Sequence, residues 1–310
     1  MIHILTALPL LFTLALPEPP QDGAGGSTGR ALEIHAVAVD RAGTPIDDLV
    51  PDDLEVWIDG RRIPIDSLTL VAPVAGERPG RAITLLIDDV TLTPVGINRA
   101  REIARRFVGR MSAGDQMSVV ALSGDATTST DDPTVLARRL DAIRMPSAPF
   151  ARPDDLSAHV LSTLASIARQ AGESRAPRRA IVAIGAPWLF DAPLPPPSAT
   201  RDVRAEWTDA VRAMAAGGMT LYVIDPGGVG MAPTIGGRDG FARETGGHAF
   251  VNTNDVNGAV DRILRELVTY YVIGVTEPPA FGAADVRELD VRSRRRDVTV
   301  RARQLLPARR

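Results

Sequence analysis

The sequence predicts an α/β protein: a doubly wound, mostly parallel sheet flanked by helices, with a small discontinuous β-domain drawn from both ends of the chain. Two observations carry this. From about residue 80 to 276, short apolar runs alternate with stretches of helical periodicity, the pattern of repeated strand–helix units. Outside that region, residues 31–75 and 284–306 keep the period-two alternation of half-buried strands, so the second segment is expected to form a hairpin that pairs with the first.

Along the chain, "ALEIHAVAVDRAGTPIDDL" reads as a strand, a turn and a loop, and "LEVWIDGRRIPIDSLTLV" as strands around an Asp59-Gly60 hairpin signal. Such a segment is too short to be stable alone and should borrow partners. Ile83–Ile87 is an apolar run, as expected of a strand buried on both faces. Thr93-Pro94 supplies a hydroxyl N-cap and a proline at the first helical position. Ile97, Ala100, Ile103, Ala104, Phe107, Val108 and Met111 then keep helical spacing, with arginines on the other faces. "QMSVVALSG", "AIVAIG", "TLYVID", "HAFVN" and "YYVIGV" continue the strands, interleaved with helical segments, up to Val275. "DAPLPPPSA" reads as a plain connection. In open sheets of this kind ligands sit beyond the carboxyl ends of the strands, which directs attention to the loop at Asp88.

A chain of 310 residues has ample length for a core. Its net charge of −3 gives no reason to expect nucleic acid as a partner. All 35 basic residues are arginine, so no lysine exists to complete a phosphate-binding loop, and "PGGVG" lacks that motif's order. Cysteine is absent, which removes disulfides, thiolate metal sites and cysteine nucleophiles. The apolar run Ile4–Leu16 is short for a bilayer and is followed by a Pro/Gly/Ser-rich stretch. It predicts an export signal over residues 1–17 and a linker over 18–30, and hence a periplasmic, envelope-associated or secreted protein with no membrane insertion after signal removal.

Four stretches now point in one direction. "VAVDRAGTPIDDLVPDDLEVWIDGRRIPI" at the front, "LLIDDVTLT" with "MSAGDQMSVVALSG" in the middle, "LYVIDPGGV" with "FARETGGHAFVNTNDVNGAVDRILRELVTYYVIGV" later, and "LDVRSRRRDVTVRAR" at the close resemble the von Willebrand factor A-related proteins of acidobacterial type. The likeness runs from about Ala31 to Arg303. It implies a vWA/Rossmann-like domain with an appended β-domain outside the cytoplasm, and it says little about action.

Domains that this chain resembles often hold Mg²⁺ through an Asp-x-Ser-x-Ser loop, a distant Thr and a distant Asp, since a small hard cation wants near-octahedral oxygens. With Asp88 leading, the hydroxyl positions are Val90 and Leu92, which cannot ligate. Shifted by one, Asp89, Thr91 and Thr93 fit Asp-x-Thr-x-Thr, although Thr93 is also the expected helix cap. The distant acid is replaced by Gly185-Ala186-Pro187, and near the distant Thr only Ser147 is available. The expectation is therefore a degenerate site and no cofactor, with Mg²⁺ at Asp89, Thr91 and Thr93 as the alternative. Adjacent carboxylates such as Asp88 and Asp89 point to opposite sides of a strand, which argues against shared acid–base work. His3, His35, His159 and His248 lack metal spacing, and Ser123 in "ALSGD" does not stand in a nucleophile elbow.

No catalytic set emerges. The first expectation is a non-enzymatic module that binds another protein through Asp88, Asp89, Thr91 and Thr93, with Asp225, Asn252, Asn254 and Asp255 in the neighbouring "DPGGVG" and "NTND" loops. In that reading Asp88 and Asp89 are removable at little cost in stability. Mg²⁺-dependent adhesion and an uncharacterised hydrolase are the alternatives.

Overall fold

The computed structural model describes residues 30–73, 80–124, 128–146, 153–171, 178–190, 203–230, 240–277 and 286–307. The expected signal segment, nearly all of the linker, Ser147 and the "DAPLPPPSA" loop lie outside them.

Chain order begins with β1 (Arg30–Val39), β2 (Leu54–Ile58), β3 (Arg61–Ile63) and β4 (Ile65–Val71). The α/β region follows with β5 (Ala82–Ile87), α1 (Pro94–Val108), β6 (Gln116–Ala121), α2 (Pro133–Ala142), α3 (Pro153–Ala171) and β7 (Arg179–Ile184). It continues through α4 (Arg204–Ala216), β8 (Met219–Ile224), α5 (Gly240–Glu244), β9 (His248–Phe250) and α6 (Val256–Glu266). The chain then enters β10 (Tyr270–Glu277), β11 (Val286–Ser293), β12 (Thr299–Ala302) and β13 (Leu305–Pro307).

The five strands β6-β5-β7-β8-β9 form one parallel sheet in that order. Alternate side chains of each strand feed two separate cores. On one face Leu86, Val120, Ile181 and Leu221 pack with Leu164 of α3, Met214 of α4 and Phe241 of α5. On the other, Leu85, Val119, Val182 and Tyr222 pack with Phe107 of α1, Leu140 of α2 and Ile263 of α6. Helices thus cover both faces, and the strands read as apolar runs for that reason. The chain is an α/β protein with a five-stranded parallel sheet flanked by helices, accompanied by separate antiparallel sheets.

Two further sheets, β12-β1-β10-β4 and β13-β11-β2-β3, are antiparallel. Ile34, Tyr271 and Ile273 from the first meet Val56, Ile58 and Leu289 from the second in a third core. Asp59 and Gly60 both take positive φ, 48° and 74°, between β2 and β3, as a two-residue hairpin turn requires. The N-terminal strands do borrow partners from the far end of the chain, as their shortness demands.

Two details depart from the expected pattern. "YYVIGV" does not extend the parallel sheet: β10 sits between β1 and β4 in the antiparallel one. Its Tyr271, Ile273 and Val275 enter the sandwich core while Tyr270 packs with Val37 and Val39 on the opposite face. A central strand covered on both faces has the same apolar signature in either kind of sheet. The closing segment is also no simple hairpin, because β11 pairs with β2 whereas β12 pairs with β1. It turns the corner between the two sheets.

Candidate functional site

The carboxyl ends of β5, β6, β7 and β8 bring Asp88, Ser123, Gly185 and Asp225 to one edge of the parallel sheet. The two aspartates after β5 are almost fully buried, Asp88 at 0% and Asp89 at 1% exposure. A buried carboxylate must be paired or richly hydrogen-bonded, and both are, by the chain itself.

Asp88 leans toward β7. Its Oδ1 accepts from the backbone N–H of Val90 at 3.2 Å and of Thr91 at 2.8 Å. Oδ2 accepts from the Thr91 hydroxyl and from the Ala186 N–H at 3.1 Å. The position is available because residue 185 is glycine: a Cβ there would lie 2.4 Å from the Asp88 Cβ. Asp89 leans the other way, toward β6, where Oδ1 accepts from the Ser123 N–H at 2.9 Å and Oδ2 from the Ser123 hydroxyl. The two carboxylates diverge, as adjacent strand residues should.

Thr93 caps α1, accepting from the Gly96 N–H at 3.2 Å with Pro94 in the first turn. Thr91 spends its hydroxyl on Asp88. The three oxygens of the alternative Mg²⁺ set, Asp89, Thr91 and Thr93, are therefore committed to Ser123, Asp88 and Gly96 in turn. Each is already bonded within the chain, to a different partner, whereas a hard cation needs free, convergent oxygen donors. This donor set does not fit Mg²⁺. Among the described residues no group of three or more His, Cys, Asp or Glu is arranged to hold a metal ion.

The two loops expected beside this edge do meet. Asn252, at a left-handed φ of 52°, accepts from the Gly230 N–H at 3.0 Å, and Asn254 accepts from the Val229 N–H at 3.2 Å. Gly228 takes φ +75°, and a Cβ on it would come within 2.5 Å of Asn254 Oδ1. Asparagine tolerates the left-handed region better than most residues, and its amide oxygen then pins the glycine loop. Asp255 is used locally, capping α6 through the Gly258 N–H at 2.8 Å. Asp225 accepts from the Gly227 N–H at 2.7 Å through one oxygen, while its Oδ2 is buried with no partner among the described residues. Burial raises its pKa above the usual aspartate value, and the Gly227 N–H pulls the other way.

Two apolar side chains stand exposed at this edge. Val95, in the first turn of α1, is 62% exposed, and Val229, in the loop after β8, is 60% exposed. One turn along α1 from Val95, Arg99 donates to the Gly227 carbonyl at 3.4 Å, so the two valines crown neighbouring segments. Thr93, Pro94, Gly230, Asn252 and Asn254 around them are also exposed. Residue types alone gave no reason to single out Val95 or Val229, and they marked Gly185 and Ala186 only as the place of a missing acid; the "DPGGVG" loop was noted but not its apolar tip.

Elsewhere, a cavity of about 350 Å³ beside the amino ends of β5 and β6 is lined by Arg81, Asp115, Asp261 and Arg265. Asp115 is saturated there by the Arg81 guanidinium and by the N–H groups of Arg81 and Ser112, which makes it a structural ion pair. His159 reaches the Leu122 carbonyl at 2.6 Å, and His248 stacks edge-on to Phe250. No helix among the described residues is long and apolar enough to cross a membrane.

No family model matches the chain, and no curated protein matches it. A solved structure of three N-terminal domains of the type V pili tip protein Mfa5 from Porphyromonas gingivalis is similar at 13% identity and a TM-score of 0.27, over 53% of this chain and 27% of that one. The likeness spans little more than a quarter of that structure's chain.

Proposed function

We propose that this chain is an extracytoplasmic, non-enzymatic recognition module of vWA-like type, whose ancestral metal-site loop has become an internal brace. The carrying observation is the contrast at the carboxyl-end edge. Asp88 and Asp89 are buried and saturated by the chain, whereas Val95 and Val229 stand out on neighbouring pinned segments. An apolar centre with a polar rim is the ordinary anatomy of a protein contact. Preorganised loops also lose little entropy on binding, which favours affinity. In this reading the polar candidates divide by role. Asp88, Asp89, Thr91 and Asp255 hold the loops in place, while Thr93, Asn252 and Asn254 flank the apolar contact.

The test is affinity capture from the native envelope fraction with the wild-type chain and with the V95D/V229D variant. The expected result is a partner retained by the wild type and lost by the variant, with both chains melting at the same temperature, since the two side chains contribute little to the core. Equal capture by both chains would refute the proposed surface.

A further inference from the structure

Between the α/β region and the β-sandwich lies a second cleft, of about 460 Å³, lined by none of the residues of the loops described above. Arg41, Arg301 and Gln304 come to it from the sandwich, and Arg243, His248 and Arg262 from α5, β9 and α6. Four guanidinium groups on one small cleft is an unusual concentration, and their bonding divides them sharply.

Two are anchored from below by Glu266, which is fully buried. Its Oε1 accepts from Arg262 Nε at 2.9 Å and from Arg301 Nη2. Arg262 also lies close against the turn after β1, where a Cβ on Gly43 would come within 2.9 Å of its Nη1. Arg301 still has donors to spare: Nε and Nη1 are buried and have no partner among the described residues. Arg41 and Arg243, both exposed, pair with no carboxylate among the described residues. The two carboxylates in the lining are already engaged. Asp40 accepts from the Thr44 N–H at 2.8 Å, and Asp290 from Arg292 Nε at 2.6 Å.

We infer that this cleft binds a small oxyanion ligand, one that carries phosphate or carboxylate groups, between the two parts of the molecule. Guanidinium forks match the geometry of both groups and are the side chains best suited to them. The exposed guanidinium groups of Arg41 and Arg243 hold donors free for an anionic oxygen, and hydrogen bonds between ionised partners are the strong ones. The volume falls within the range of small-molecule sites, roughly 300–1,000 Å³, and well above the space one water needs. Preset positions of Arg262 and Arg301 on Glu266 mean that two of the four guanidinium groups need no reordering on binding. Because the walls belong to different parts of the fold, occupancy would tie the sandwich to the α/β region and raise the melting temperature of the whole chain.

The experiment uses the full chain and two probes, pyrophosphate and glutarate, each titrated calorimetrically at matched ionic strength against a sodium chloride control. The companion variant is R41Q/R243Q, chosen because both side chains are exposed and unpaired, so that folding is undisturbed. The expected result is saturable one-to-one binding of at least one probe, accompanied by a rise in melting temperature, and weakened tenfold or more in the variant. The probe that binds identifies the source, phosphate or carboxylate. Absence of saturable binding by both probes, or binding that the variant leaves intact, would overturn the inference. Because Val95 and Val229 lie elsewhere, neither result bears on the protein-contact surface.

Discussion

Asp88 occupies the space that a side chain at Gly185 would fill: a Cβ there would sit 2.4 Å from the Asp88 Cβ and 3.0 Å from its Oδ2. The two residues are one structural unit. A glycine at the end of β7 admits a buried carboxylate from the end of β5, and the carboxylate then ties the turn at Thr91 to the backbone at Ala186. Gly185→Ala should destabilise the fold by about 1–3 kcal/mol through overpacking. Urea denaturation measures this directly, and a neutral result would mean that Asp88 is free to move aside.

Asp89 and Ser123 make the second prediction. Asp89→Ala removes both charge-assisted hydrogen bonds to Ser123, whose exposed donors then turn to water, so a loss of about 1.5–3 kcal/mol is expected. Ser123→Ala keeps the N–H bond at 2.9 Å and should cost about 1 kcal/mol. Denaturant midpoints of the two variants should rank in that order. The expectation from sequence, that Asp88 and Asp89 are removable at little cost in stability, gives way here: both are buried braces.

Glu266 is the anionic centre of the junction between the sandwich and the α/β region. Burial pushes its pKa up, but Arg301 and Arg262 outweigh that and hold it below the ordinary glutamate value of 4.5. A depressed folded-state pKa stabilises above the unfolded value, and that stabilisation fades as pH falls through the folded one. Thermal melts should therefore show Glu266 contributing fully at neutral pH and progressively less below about pH 4.5. Glu266→Ala leaves two guanidinium groups without their counter-charge and should cost about 3–5 kcal/mol.

Glu244 behaves oppositely. Burial raises its pKa to about 7; the indole N–H of Trp207 lies close enough to favour the charged form, yet neither it nor Glu244 Oε2 completes a hydrogen bond. A raised carboxyl pKa means that the folded state binds the proton more tightly, so its contribution is full below about pH 4.5 and is lost as pH rises through about 7. Glu244→Gln should therefore raise the melting temperature relative to wild type at pH 8 and leave it nearly unchanged at pH 4. A difference independent of pH would contradict this.

Much of the fold was legible in the residues. Thr93-Pro94 marked the start of α1, Asp59-Gly60 marked the hairpin, and the apolar run at Ile83–Ile87 marked a doubly covered strand, because each is a local signal with a local cause. The assignment of β10 was not legible, since burial on both faces looks the same in parallel and antiparallel company. The site was legible only in part. Adjacency told that Asp88 and Asp89 diverge, and the alternation of strands and helices placed the "DPGGVG" and "NTND" loops at the same edge. Their burial was hidden, because the groups that satisfy them, Ser123 and the Ala186 N–H, arrive from neighbouring strands far along the chain. Glu266 was hidden for the same reason: a glutamate near a helix end reads as solvated until Arg301, 35 residues later, is placed beside it.

The central claim is that the oxygen donors after β5 are consumed by the chain and hold no ion. Calorimetric titration of the full chain with Mn²⁺, repeated with Mg²⁺ and with Asp89→Asn, addresses it most directly. The account predicts no saturable heat and no shift in melting temperature with either metal. One-to-one binding by the wild type that Asp89→Asn abolishes would contradict it.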